Sequence, residues 1–362
     1  MSFEATLVWA QDRDRADPLR EFRSRFALPR DARGAELLYL CGHSLGLMPL
    51  HARTLVSEEL EEWATRGVLG HESGRRPWIG YHEHLTAGLA QLAGASSGEV
   101  VAMNSLTVNL HLMLASFFRP QGARRKILIE AGAFSSDRHA VTSQLIWHGL
   151  DPAADLIELA PAGGGETLTH EAIEACLARH GSEIALMLWP GVQFRTGQAF
   201  DLAGIVRAAR RAGCVVGFDL AHSIGNLPLE LHASEADFAV WCGYKFLNGG
   251  PGAIGGCFVH ERHGNSRARL SGWWGHEPAT RFRMEPEFRP AAGVEGWQIS
   301  NPPVLAAAPL LASLALFREA GIARLRAKSL ELTGYLDFLL ARLGPAVRRI
   351  TPGEPQGRGA QL

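Results

Sequence analysis

The chain reads as an α/β protein with a mainly parallel sheet and a smaller lobe beside it. Short runs that are apolar at every position alternate with amphipathic stretches of helical length, as expected for strands covered on both faces. Forty glycines in 362 residues supply the tight turns that such a sheet needs. After Pro302 the pattern becomes long helical periodicity, which marks the second lobe.

Strands are expected at "KILIEA" (126–131), "DLIEL" (155–159), "IALMLW" (184–189), "CVVGFDL" (214–220) and "DFAVWC" (237–242), and another opens at "CFVHERH" (257–263). In the helix "DLAGIVRAARRAG" (201–213), Asp201 is the N-cap. Ile205, Ala208 and Ala209 form its apolar face, and Gly213 stops it. Strands separated by helices of this length imply right-handed βαβ crossovers. At the end of the sequence, "RRITP" is expected to start a strand and "GRGAQL" to turn into another, leaving an unpaired edge where the chain stops.

Composition narrows the function. With 36 basic and 37 acidic residues, net −1, nothing favours a nucleic acid or a membrane surface as partner. No apolar run reaches the roughly 18 residues needed to span a bilayer. The N-terminus is charged early and lacks the apolar stretch of a secretory signal. Five scattered cysteines without a CxxC suit reduced thiols in a cytoplasmic enzyme better than disulfides or a zinc site. His82 and His84 in "YHEHL" lack a third ligand cluster and read as surface histidines, so no metal is expected.

The stretch "WCGYKFLNGGPGAIGG" (241–256) contains G-x-G-x-x-G, yet it runs into a strand rather than a helix. A dinucleotide fingerprint needs a helix N-terminus to hold the pyrophosphate, so these glycines read as a turn. Lys245 lies just past the end of a strand, where parallel sheets place their ligands. A partly desolvated lysine there is available to form a Schiff base. Asp219 ends another apolar run 26 residues earlier, a costly position for a carboxylate without a cationic partner. The protonated ring nitrogen of pyridoxal phosphate is such a partner. His222 can face that ring or brace Asp219. In "NSLTVNLHLMLASFF" (104–118), Ser105 as N-cap and Thr107 in the first turn offer a seat for a phosphate.

With these residues in place, the sequence resembles the kynureninases, pyridoxal-phosphate enzymes of the aspartate-aminotransferase-like fold, fold type I. The motifs "YLCGHSLGLMP" (39–49), "GHESGRRPWIGYHEHL" (70–85), "AFSSD" (133–137), "GVQFRTGQAFDL" (191–202) and "GWQISNPPVL" (296–305) spread the likeness over nearly the whole chain. The resemblance implies a large domain (47–302) on a mainly parallel seven-stranded sheet and a small α+β domain (303–362) that looks truncated. The N-terminal segment (1–46) would pack with the small domain. Lys245 would carry the cofactor, Asp219 pair with its ring nitrogen, and His222 flank that contact. Leu106, Thr107 and Tyr244 would hold the phosphate, Phe134 stack on the ring, and Ser135, Ser136 and Asp137 lie beside it. Trp274 and Asn301 would enter from the neighbouring subunit of a homodimer, while Ser44, His71 and Asn301 would bind substrate.

The implied reaction is hydrolysis of L-kynurenine, or its 3-hydroxy form, to anthranilate, or 3-hydroxyanthranilate, and L-alanine. Lys245 would move protons and Tyr244 would act as acid. The sequence departs from the family pattern at His43, Pro190 and Ser135. Family members continue about fifty residues beyond "RGAQL", where an arginine would clamp the substrate carboxylate. The expectation is therefore that cofactor binding survives and turnover is weakened. The alternatives are a truncated homologue that only binds the cofactor, or another fold type I enzyme such as an aminotransferase or desulfurase. A desulfurase would need an exposed cysteine in a basic loop, which none of the five obviously occupies.

Overall fold

The computed structural model describes residues 3–264 and 268–362. Its seven strands are β1 (Val100–Ala102), β2 (Lys126–Glu130), β3 (Leu156–Leu159), β4 (Ile184–Pro190), β5 (Val215–Asp219), β6 (Phe238–Trp241) and β7 (Gly256–Val259). They form one sheet in the order β1-β7-β6-β5-β4-β2-β3. Five neighbouring strands are parallel, and β7 runs antiparallel between β6 and β1. The strands expected between residues 126 and 263 and their mainly parallel pairing are present. β1 was not foreseen: three residues are too short for a periodicity to register.

Helices cover both faces. They are α1 (Leu7–Ala16), α2 (Leu50–Arg66), α3 (Glu83–Ala93), α4 (Leu106–Phe117), α5 (Ser135–Trp147), the one-turn α6 (Pro152–Asp155), α7 (His170–His180), α8 (Leu202–Arg211), the one-turn α9 (Leu231–Ser234), α10 (Val304–Ala320) and α11 (Ile322–Ala341). Alternate side chains of each strand enter opposite cores. Met187, Trp189, Val216 and Phe218 join the core under α3, α8 and α10. Leu186, Leu188, Ile129 and Val240 join the core under α4 and α5. Burial on both sides explains runs that are apolar at every position. In α8, Asp201 caps as expected, its side chain accepting from the Gly204 N–H at 3.0 Å.

The C-terminal part departs from the α+β expectation. Residues 303–362 hold α10, α11 and short turns but no strand of the sheet. "RRITP" finds no ladder partner, and Arg349 is tied to Asp337 of α11 instead. In "GRGAQL" only Arg358 makes a single isolated bridge, to Gln198. A strand exists only where a neighbour supplies its hydrogen bonds, whatever its propensity. Near the N-terminus, Phe3 and Trp9 pack on Tyr335 of α11, and Asp17 pairs with Lys328. No single helix among the described residues is long and apolar enough to cross a membrane.

Candidate active site

The carboxyl ends of β2, β4 and β5, with the segments that follow β1 and β6, converge on one cavity of about 660 Å³ including its mouth. Asp219 is the last residue of β5 and is buried. One of its oxygens accepts the Ala221 N–H at 2.7 Å. Lys245 follows β6, and its Nζ lies 3.0 Å from Nε2 of His222. The same Nζ is 5.5 Å from the centre of the Phe134 ring and 5.9 Å from that of Tyr244.

Burial dominates the electrostatics. It raises Asp137 well above the usual carboxylate range, with the charge of Asp219 adding to the effect, and the two share a hydrogen bond. Burial also raises Asp219, opposed by the Ala221 N–H, Asp137 and Lys245. We place the shared proton on Asp137 and the charge on Asp219, which has the backbone donor and the lysine. Desolvation, then Lys245 and His43, pushes His222 down to about 3, so its imidazole is neutral. Burial, with Cys242 beside it, pushes the Tyr244 hydroxyl up to about 12.

A second feature is the N-terminus of α4. Ser105 occupies the cap position with extended backbone, but its side chain does not cap the helix, contrary to expectation. The first-turn N–H groups at Leu106 and Thr107 therefore remain available to a ligand. Thr107 Oγ1 lies 2.8 Å from Ser136 Oγ, joining α4 to α5 at the cavity wall. Gly255 backs this turn: a Cβ there would sit 2.7 Å from the Trp241 carbonyl oxygen and 3.3 Å from the Leu106 nitrogen. The glycine run is thus a turn into β7, with positive φ at Gly250 and Gly252, and no helix follows it. The residues suit pyridoxal phosphate: an amine, a buried acid, an open helix N-terminus, and buried atoms at His222 Nδ1 and Asp137 Oδ1 that have no partner among the described residues.

Of the residues singled out from the sequence, Leu106, Thr107, Phe134, Ser136, Asp137, Asp219, His222, Tyr244 and Lys245 all line this cavity. Ser135 does not; it is exposed on the first turn of α5. Within this chain Ser44, His71, Trp274 and Asn301 also lie outside the lining. His71 sits edge-on to Trp78 at 5.3 Å, Trp274 is buried beneath Arg281, and Ser44 and Asn301 are exposed. The turn holding Ser44 nevertheless borders the site, because the Gly46 N–H donates to the Tyr244 carbonyl at 2.8 Å. Glu130, Gln193 and Phe194 were not foreseen. Glu130 ends "KILIEA" as Asp219 ends its own strand, and that signal was present. Gln193 Nε2 donates to Glu130 Oε1 at 3.4 Å, and Phe194 meets Phe134 edge-on at 5.3 Å.

The motif "RRPW" is a structural lock: Arg76, Trp78 and Tyr81 all donate to the buried Glu59 of α2. His82 is not a surface residue; it is buried against Glu295. Cys41 is exposed on a turn, while the other four cysteines are buried. Glu99, His232 and His260 bring ligand-type atoms within 4.8 Å of one another but do not line the cavity; there Glu99 accepts the Ser96 and Glu261 N–H groups.

Comparison with known proteins assigns this architecture. The class-V aminotransferase family matches residues 57–355, and the chain belongs to it. Solved structures of similar fold include a C-DES mutant with glycine covalently linked to its PLP cofactor (TM-score 0.72, 19% identity, covering 84% of this chain and 78% of that one). The apo cysteine desulfurase from Thermococcus onnurineus NA1 gives a TM-score of 0.70 at 17% identity, covering 99% of this chain and 82% of that one. At such identities these two show the fold alone. The sequence relatives are much nearer. Kynureninase of Xanthomonas euvesicatoria pv. vesicatoria (strain 85-10) is 59% identical over 96% of this chain and 83% of its own length. Kynureninase of Xanthomonas campestris pv. campestris (strain B100) is 58% identical over 96% and 82%. Within the class-V aminotransferases, the chain belongs to the kynureninase family.

Proposed function

We propose that this chain binds pyridoxal phosphate on Lys245 and hydrolyses L-kynurenine, or 3-hydroxy-L-kynurenine, to anthranilate, or 3-hydroxyanthranilate, and L-alanine. The observation that carries the reading is the meeting of Lys245 and Asp219 in one cavity of a chain 59% identical to a kynureninase. Bound there, the cofactor supplies an electron sink for the bond that breaks.

The chain's own groups divide the remaining work. Asp219 would hold the cofactor's ring nitrogen cationic, and Asp137, sharing its proton, keeps Asp219 in place. His222, neutral beside Lys245, leaves the amine free to carry the cofactor and then to move protons at the substrate carbon. The first turn of α4, with Thr107 and Ser136, takes the phosphate. Phe134 would stack on the cofactor ring, and Phe194 steadies it edge-on. Tyr244 keeps its proton at neutral pH, as an acid that quenches a carbanion must. Ser44, His71 and Asn301 orient the aryl ketone and amino acid ends.

The site is completed by a second copy of the chain, which brings Trp274 and Asn301. Support comes from exposed apolar side chains: Leu38 is 97% exposed, Val68 77%, Leu69 66% and Trp63 60%. Exposed apolar side chains of this size are suited to burial against another subunit. We assign residues 1–46 and 303–362 to one small lobe, from the packing of Phe3 and Trp9 on α11. The five free cysteines fit a reducing compartment, the cytoplasm.

The test is the appearance of fluorescent anthranilate from kynurenine with the cofactor present. Lys245→Ala should abolish the borohydride-sensitive visible absorbance and lower turnover at least ~1,000-fold. A colourless wild-type protein, or one that colours but releases sulfur from cysteine instead of anthranilate from kynurenine, would overturn the reading.

A further inference from the structure

The cavity holds more acid than its own cations neutralise. Three carboxyl groups face it, on Glu130, Asp137 and Asp219, and all three residues are buried. The other titratable groups facing them are Lys245, His222 and Tyr244. His222 is neutral and Tyr244 keeps its proton. Asp137 and Asp219 share one proton, so that pair carries a single charge, opposite Lys245. Glu130 is left over.

Glu130 ends β2 and is only 4% exposed. It has no ion pair among the described residues, and its partner is the uncharged amide of Gln193 at 3.4 Å. Gln193 cannot swing aside easily. Its own Oε1 accepts the N–H groups of Arg195 at 2.7 Å and Thr196 at 2.8 Å, which pins it in the turn that carries Phe194. The carboxyl group is therefore held in a dry wall with no cation of its own. Buried charges without a partner are expensive, so such a group holds its proton to a higher pH than an exposed carboxyl does.

We propose that Glu130 is the counter-charge reserved for the cofactor ring, a positioning residue that ionises when a protonated ring nitrogen settles on Asp219. It acts on the ring through Asp219 and the shared field of the cavity. The inference rests on the pyridoxal-phosphate reading above and deepens it. In the step, the Glu130 O–H bond breaks and its electron pair stays on the carboxylate. The proton goes to buffer, or to the ring nitrogen if that arrives unprotonated. Burial, with Asp219 nearby and despite the Gln193 amide, raises Glu130 to about 7 in the free chain. It thus stands half-ionised near neutrality and has a proton to give up.

The experiment counts protons. Calorimetric titration of the apo protein with pyridoxal phosphate, in buffers of different ionisation enthalpy, gives the protons exchanged on loading. Near pH 7 the wild type should release about half a proton more than Glu130→Gln, and the difference should vanish at a pH well above the Glu130 midpoint. Infrared difference spectra of the wild type, loaded minus unloaded, should show loss of a protonated-carboxyl band, which needs no variant to fold. Equal proton counts in the two proteins, or a wild-type difference spectrum with no loss of protonated-carboxyl intensity, would overturn the proposal. Absence of both colour and binding heat at every pH would instead remove the cofactor reading, and this inference with it.

Discussion

At the scale of single residues, the site is governed by what burial does to charge. Asp219→Asn keeps the shape but removes the charge that holds a ring nitrogen protonated, so kcat for kynurenine should fall by ~100-fold or more, with cofactor colour retained. Glu130 gives a prediction in the protein without cofactor. Its carboxyl titrates near 7 when folded against 4.5 in the ordinary state, so the folded chain holds a proton that the unfolded chain releases between those values. Stability therefore falls as pH rises from about 4.5 to about 7 and is level above that. Urea unfolding of apo Glu130→Gln should show a gain over wild type of up to ~3 kcal/mol at pH 8 that disappears at pH 5. Lys245 and Asp219 were legible in the sequence because each is a charged residue at the end of an apolar run. Glu130 carried the same signal. Its partner Gln193, 63 residues away, belongs to a turn whose approach only the sheet order reveals.

At the scale of elements, the strands of the central sheet were legible because both their faces are buried. β1 and the fate of "RRITP" were not, since pairing depends on neighbours that local sequence does not specify. The same holds for "RRPW", which follows α2 in the chain and folds back to bind Glu59 within it. Glu59→Ala would leave Arg76, Trp78 and Tyr81 without their shared acceptor. It should destabilise the protein by ~3 kcal/mol, read as a fall in urea midpoint. Because Trp78 also packs on Gly70 and His71, the variant should raise KM for kynurenine more than it lowers kcat if His71 orients substrate. Gly255→Ala tests the other end of the site. Its methyl would crowd the Trp241 carbonyl and the first N–H of α4, so cofactor affinity should drop ~10-fold or more with the fold retained.

At the scale of the whole molecule, the exposed apolar side chains at Leu38, Trp63, Val68 and Leu69 set the expectation for assembly. Sedimentation should give twice the chain mass of 39.3 kDa. Replacing Trp63 and Val68 together by Glu should yield a monomer that still takes up cofactor weakly but turns over little substrate. Their exposure was invisible in the sequence, where apolar residues such as Trp63 in α2 pass for ordinary core positions. The sheet order has a consequence in time as well. β7 pairs with both β6 and β1, registering Ala102 against Gly256 and Phe258 against Val100, and so fastens the start of α4 beside the lysine's strand. Contacts between segments so distant in the chain form late, since a long loop must close first. On the ribosome, the first two hundred and fifty residues therefore hold every side chain that lines the cavity, but not the strand that fastens β1 beside β6. Secure lodging of the coenzyme is therefore expected only after β7 has been laid into the sheet.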